Sequence, residues 1–139
     1  MGREDVSARC NAIEEFYEFM LAYAGQGLSG KENSQSSSQA RDYLNRAVEA
    51  LTGLSEAYST AVKQENFLPA ERYIAFQTVL ENDARDSLAM IQLVLAQATI
   101  SSQLIDNLNA SIHLRALLTD LFLIDEILKP QQIAAKPPL

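Results

Sequence analysis

The stretch that decides the fold is residues 101–128, SSQLIDNLNASIHLRALLTDLFLIDEIL, because its apolar side chains change sides partway along. Successive residues of a helix are about 100° apart, which puts the apolar stripes of the two halves on nearly opposite sides. The first stripe contains Leu104, Ile105, Leu108 and Ile112, and the second contains Leu114, Leu117, Leu118, Leu121, Ile124 and Leu128. A continuous helix that faces one core keeps one stripe, which drifts by only about 20° per heptad. The segment is therefore expected either to break near Asn109 or to face two partners, its own bundle and a second protein surface.

Three further segments have the periodicity of amphipathic helices. The first is predicted over 6–24, the second from a serine cap at 37 or 38 to 64, and the third over 69–98. Gly53 lies inside the second helix, where glycine is unfavourable, and predicts either a close helix contact or a bend. Together with 101–128, these segments predict an all-α, up-and-down bundle of four main helices, the fourth continuous or split near Asn109.

The same pattern predicts one domain with one internal connector. A chain of 139 residues is long enough to bury a single core, which is expected to span residues 1–128. The stretch GQGLSGKENSQSSS, residues 25–38, is rich in glycine and serine and is typical of a flexible loop. The proline that follows Lys129 ends the last helix, so residues 129–139 are predicted to be a disordered tail.

Composition narrows the function classes. The net charge is −7, and the 11 basic residues are scattered along the chain, which argues against a nucleic-acid partner. No run of eighteen apolar residues occurs, so no membrane association is expected. The chain starts with charged residues rather than an apolar signal segment, which favours the cytoplasm. The single Cys10 rules out an intrachain disulfide, and its place on the apolar side of the first helix predicts a buried, inert thiol.

Catalytic and metal-binding patterns are missing from the sequence. Helical di-iron sites use Glu-x-x-His, but Ala110 stands three residues before His113, the one histidine of the chain. Asp106 and Asp120 lie one heptad on either side of His113, so either carboxylate could orient the imidazole. A phosphate-binding glycine loop and a nucleophile motif are also missing. We therefore expect no catalytic residues, no metal and no cofactor.

Surplus apolar residues predict a protein partner instead. They lie on the first and fourth helices, and packing against a single neighbouring helix would not bury all of them. The predicted interface consists of Phe19, Tyr23, Leu114, Leu117, Leu118, Leu121, Phe122 and Ile124. This pattern favours a non-enzymatic interaction module, an adaptor, regulator or chaperone, that forms a homodimer and docks another protein.

A second function class stays open at this point. A helical bundle can bind a small ligand, or act as an enzyme, through a pocket between its helices. In this chain such a pocket is predicted to be lined by His113 and Tyr17, because one offers an imidazole and the other a phenol near an apolar stripe.

Overall fold

The computed structural model of the protein describes residues 2–31 and 34–129, and within them it is all-helical. The helices are α1 (Gly2–Ala24), α2 (Ser34–Leu51), α3 (Leu54–Glu65), α4 (Ala70–Leu95), α5 (Ser102–Ala110) and α6 (Ile112–Leu128). Six helices thus take the place of the four predicted, because the second and the fourth predicted helices each divide in two. None of the six combines the length and the apolar character that crossing a bilayer requires.

The break between α2 and α3 is a bend at Gly53. This residue has φ 84° and ψ 6°, a left-handed conformation that glycine adopts without a Cβ penalty. The bend leaves backbone carbonyl groups of α2 without helical partners. The Arg9 guanidinium of α1 donates hydrogen bonds to the carbonyl oxygens of Ala50 (2.8 Å) and Thr52 (2.6 Å). Of the two explanations that the sequence leaves open for this glycine, the bend is the one that the structure has.

The break between α5 and α6 lies at Ser111, two residues beyond the expected Asn109. Ser111 has extended backbone angles, and its Oγ accepts hydrogen bonds from the backbone N–H groups of His113 (3.1 Å) and Leu114 (3.4 Å). This is an N-cap, which satisfies donors that a helix start leaves free. The break also turns Ile112 out of the first apolar stripe, so this side chain is 77% exposed rather than buried.

α1 runs antiparallel to both α2 and α3, which follow each other along it. The backbone N–H of Gly2 donates to Oε1 of Gln64 at 3.1 Å, which brings the start of α1 to the end of α3. At the other end of α1, the ring of Phe19 stacks on that of Tyr43 in α2. α1 packs against α2, α3, α5 and α6, and α4 packs against α2, α3, α5 and α6. The core lies between these helices and includes Ile13, Phe16, Met20, Leu44, Leu54, Leu80, Ile91, Ile105, Leu114, Leu117 and Leu121.

The connection between α1 and α2 is shorter than predicted, because α2 already begins at Ser34. The described part of it packs against the start of α5. Leu28 and Ser102 exchange two hydrogen bonds of 2.8 Å, one through the Ser102 Oγ and one through its N–H. Gly30 lies so close to the backbone of Ile100 that a Cβ there would come within 2.9 Å of its nitrogen. Residues 25–31 are therefore tied to the α4–α5 connection, and most of the predicted C-terminal tail, 130–139, lies outside the described residues.

Candidate functional site

Five of the predicted interface residues lie in the core of the chain itself. None of these five side chains is more than 3% exposed; they are Leu114, Leu117, Leu118, Leu121 and Ile124. Because the helix breaks at Ser111, the second apolar stripe of the sequence turns inward as α6 and packs against α1 and α4. We therefore correct their assignment from a subunit interface to the intrachain core.

The extra apolar residues of α1 are also covered within the chain. Tyr23 is 2% exposed, and its hydroxyl donates to the carbonyl oxygen of Ile100 at 2.6 Å. Phe19 is half-buried, with its ring centroid 4.4 Å from that of Tyr43. Of the residues predicted for the interface, Phe122 is the one with a large exposed fraction, 46%.

His113 and Tyr17 do not come together. The imidazole Nδ1 of His113 lies 3.8 Å from a carboxylate oxygen of Asp86 in α4, and both side chains are half exposed. Tyr17 of α1 is instead covered by the guanidinium of Arg115, 5.6 Å from the ring centroid. His113 and Arg115 stand two residues apart, about 200° around the helix, and so point to different sides of α6. The carboxylate beside the imidazole of His113 is thus that of Asp86, and not that of Asp106 or Asp120, which the sequence offered for this role. The Tyr/His-lined pocket stays a prediction.

Cys10 is buried, as its position on the apolar stripe predicts. Its thiol is 1% exposed and donates a long hydrogen bond, 3.8 Å, to the carbonyl oxygen of Leu121. Burial, together with the charges of Asp125 and Glu14, raises the pKa of Cys10 to about 12. The thiol is therefore protonated at neutral pH and is a poor nucleophile.

An apolar groove lies between the N-terminal half of α4 and the C-terminal half of α6, and we call it the α4–α6 groove. It has a volume of about 370 Å³. Its walls are Pro69, Arg72, Tyr73 and Phe76 on one side and Leu123, Ile124, Ile127 and Leu128 on the other. Leu123 is 50% and Ile127 40% exposed, although both are large apolar side chains. The sequence-based interface includes neither of them.

The inner side of the groove is held by Tyr58 of α3, which is 2% exposed. Its hydroxyl donates to the carbonyl oxygen of Tyr73 at 2.8 Å, and its ring meets that of Phe76 edge-on at 6.0 Å. Burial, with a smaller contribution from Tyr73, raises the pKa of Tyr58 to about 12, so the hydroxyl remains a donor at neutral pH. Tyr58, Tyr73 and Phe76 thus pack together and form a fixed inner side of the groove.

Arg72 is the charged residue on the wall of the groove. Its backbone N–H is bonded to the carbonyl oxygen of Pro69. Among the residues that the structure describes, its guanidinium makes no hydrogen bond or ion pair. A cation without a partner beside exposed apolar side chains marks a surface suited to a ligand that carries both apolar groups and a carboxylate.

Further along the same two helices, the contact between α4 and α6 becomes polar, and we call this part the polar seam. Ser87, which is 1% exposed, donates its hydroxyl hydrogen to the carbonyl oxygen of His113 at 3.1 Å. Asp120 of α6 is only 8% exposed, and Asp83 of α4 is the charged side chain that acts on its carboxyl group. A nearby negative charge opposes the ionisation of a buried carboxyl group.

Asp120 is the most strongly perturbed acid of this seam. Burial, followed by the hydrogen bond to Asp83 and the negative charge of Asp83, raises the pKa of Asp120 from 3.8 to about 8. Its Oδ2 atom is buried and has no hydrogen-bond partner among the described residues. The carboxyl group of Asp120 is therefore protonated at neutral pH.

No relative identifies the function of the chain. Comparisons with protein-family models, with curated proteins and with solved structures found no match. Within residues 2–31 and 34–129, no group of three or more histidine, cysteine, aspartate or glutamate side chains is placed to hold a metal ion. The α4–α6 groove and the adjoining polar seam are the features on which a function can be based.

Proposed function

We propose that the chain is a non-enzymatic protein-interaction module that forms a homodimer through the α4–α6 groove and the outer face of α6. The observation that carries the proposal is the exposure of Leu123 and Ile127 beside this groove, at 50% and 40%. Large apolar side chains exposed as a group favour a binding surface. Full burial of one leucine or isoleucine side chain contributes roughly 1.5–3 kcal/mol, so covering both would contribute substantially to association.

A second copy of the chain is the occupant that the surface fits best. In a two-fold dimer the same patch meets itself, so the patch must contain both a ridge and a recess. Here the ridge is formed by Leu123 and Ile127 on α6, and the recess lies directly beside it, against Tyr73 and Phe76. A helix that inserts apolar side chains into such a groove is a common mode of protein recognition.

Charge supports the same occupant. Two chains with a net charge of −7 repel each other, so a contact surface between them should be poor in carboxylates. The groove wall instead carries the unpartnered cation of Arg72. Glu126 of α6 pairs with Lys129 at 3.1 Å, but both side chains are largely exposed, and such pairs contribute little. In the dimer, Glu126 therefore exchanges its partner Lys129 for Arg72 of the second copy at little cost in free energy. This exchange makes the charges of the two surfaces complementary.

The alternative, a small-ligand module, is supported by one observation. The groove volume of about 370 Å³ lies within the range typical of small-molecule sites, and its lining is largely apolar. In that case an apolar ligand occupies the groove of a monomer. A thermal-shift screen with small apolar compounds distinguishes the two, because a ligand that binds only the folded chain raises its melting temperature.

The homodimer is tested by sedimentation velocity at micromolar concentration on the wild type and on Leu123→Glu. The wild type should sediment as a dimer, and the variant as a folded monomer, because a carboxylate in the apolar contact surface must lose its hydration. Leu93→Glu is the matched control. Leu93 is 65% exposed on α4 and does not line the groove, so this variant should remain dimeric. A monomeric wild type, or equal dissociation of both variants, would contradict the proposal.

A further inference from the structure

We infer that Met90 is an oxidation site, and that conversion of its thioether to the sulfoxide loosens the start of α6. The inference goes beyond the proposed dimerisation, which gives Met90 no role. It is based on a contact between two helices, in which the sulfur of Met90 in α4 meets the hydroxyl group of Ser111, the residue that caps α6. The oxidant is hydrogen peroxide or another peroxide of small size.

The hydroxyl group of Ser111 uses its full hydrogen-bonding capacity at the break between α5 and α6. It donates its hydrogen to Sδ of Met90 at 3.2 Å. Its oxygen accepts from the backbone N–H groups of His113 at 3.1 Å and Leu114 at 3.4 Å. A hydroxyl group has one hydrogen to donate and two lone pairs that accept, so Ser111 has no capacity left for a further partner. The sulfur of Met90 and the cap of α6 are therefore linked through one oxygen atom.

Met90 lies where an oxidant in solution can reach it. Its side chain is partly exposed, and its surroundings are open to solvent. Leu93, one turn further along α4, is 65% exposed, and Ile112, which directly follows Ser111, is 77% exposed. Met20, by contrast, is 0% exposed in the core. Because oxidation follows exposure, a peroxide should convert Met90 before Met20 in the folded chain.

The reaction is the transfer of one oxygen atom and two electrons. A lone pair of the Met90 sulfur attacks one oxygen of hydrogen peroxide, an S–O bond forms and the O–O bond breaks. The proton of the transferred oxygen passes to the departing hydroxide, which leaves as water. The sulfur is oxidised by two electrons, and the peroxide is reduced by two. A flexible apolar side chain thus becomes a polar one.

The sulfoxide oxygen changes the partner that Ser111 faces. A thioether sulfur is a weak acceptor, whereas the sulfoxide oxygen accepts strongly and stands one bond length away from the sulfur. If the Ser111 hydroxyl follows this oxygen, its own oxygen leaves the N–H groups of His113 and Leu114. If it does not, the sulfoxide oxygen stays between the helices without a donor, which is unfavourable. Either response loosens the first turn of α6.

Hydrogen exchange followed by mass spectrometry tests the inference on the full chain. The wild type is treated with hydrogen peroxide until the peptide containing Met90 has gained one oxygen, and is compared with the untreated chain. In peptides covering 111–118, exchange should become faster by roughly two- to thirtyfold, the range that corresponds to loss of an N-cap. The peptide containing Met20 should gain no oxygen. Treatment with methionine sulfoxide reductase and a thiol should restore slow exchange, since the oxygen leaves as water and two thiols form a disulfide.

Met90→Leu is the matched control, because leucine is of similar size and has no sulfur to oxidise. Peroxide should leave exchange in 111–118 of this variant unchanged. Met1 is present in both chains, so any effect of its oxidation cancels in the comparison. Ser111→Ala lacks the capping hydroxyl, so its exchange there should be fast before treatment and should increase less with peroxide than that of the wild type.

Two results would overturn the inference. One is oxidation of Met90 no faster than that of Met20, and the other is complete oxidation of Met90 with unchanged exchange in 111–118. If Ser111→Ala fails to fold, the comparison of the wild type with Met90→Leu decides by itself. A wild type that sediments as a monomer would contradict the proposed function, but it would leave the oxidation site standing, because the contact between Met90 and Ser111 lies within one chain.

Discussion

The guanidinium of Arg9 in α1 donates a 2.8 Å hydrogen bond to the carbonyl oxygen of Ala50, in the last turn of α2. Helix C-termini carry carbonyl groups without helical partners, and a cation there is favourable. Arg41 does the same for α4, donating to Leu95 at 2.8 Å and to Gln97 at 2.6 Å. Two helix ends are thus satisfied by arginines of neighbouring helices, so each arginine stabilises tertiary as well as secondary structure.

Arg9→Met should therefore lower the free energy of unfolding by about 1.5–3 kcal/mol, the range for hydrogen bonds to a charged group. The methionine keeps most of the aliphatic stem but leaves the carbonyl groups around the Gly53 bend without their donor. Urea denaturation followed by circular dichroism measures the change. Arg85→Met is the control, since Arg85 is exposed and, among the residues that the structure describes, bonds only to Asn82 in its own helix. A loss no larger than in this control would mean that water replaces Arg9 at the bend.

Leu51→Ala should lower the free energy of unfolding by about 2–5 kcal/mol, as expected for a buried leucine. Leu51 is 3% exposed and lies at the end of α2, where the core continues across the bend into Leu54. Leu93→Ala is the matched control, because a leucine that is 65% exposed should change stability by no more than about 0.5 kcal/mol. Equal losses in the two variants would contradict the burial of this part of α2.

The helices were predictable because their causes are local. A glycine inside a helical pattern and a change of apolar side each require an interruption, and the structure has one at Gly53 and one at Ser111. Local pattern does not, however, say which flank of a helix a neighbour covers. The run 121–124, LFLI, is apolar on every side, and the packing of α6 against α1 and α4 decides that Leu121 is buried while Leu123 is exposed. The sequence-based interface for this reason contained core residues and, apart from Ile124, missed the walls of the groove.

Asp120 shows the same limit for polar groups. From the sequence, Asp120 could be related only to His113, one heptad away on the same helix. Asp83, the charged side chain that acts on it, comes from α4 and is 37 positions earlier in the chain. No spacing rule links residues on two separate helices, so this influence becomes visible only once α4 and α6 are packed together.

Ser102→Ala should lower the free energy of unfolding by about 1–3 kcal/mol, the cost of leaving buried polar groups without partners. Ser102 is 3% exposed; its Oγ accepts from the backbone N–H of Leu28 and donates to the carbonyl oxygen of Tyr23 at 2.5 Å. Chemical denaturation measures the loss, and the exposed Ser38→Ala serves as the control. Unchanged stability would indicate that the 25–31 connection is the free loop that its composition predicts.

Asp120→Asn should change how the free energy of unfolding depends on pH. Since the pKa of Asp120 is raised on folding to about 8, the folded wild type holds a proton that the unfolded chain has lost between pH 4 and pH 8. Its free energy of unfolding therefore falls as pH rises through this range. Asparagine keeps the shape and cannot ionise, so the variant should match the wild type near pH 4 and exceed it by about 1–3 kcal/mol at pH 8, on the scale of a buried polar group. Urea denaturation at a series of pH values, with Asp106→Asn alongside, measures the difference. A variant that is less stable than the wild type at pH 8 would mean that a neighbouring group stabilises the ionised form of Asp120, which contradicts the raised pKa.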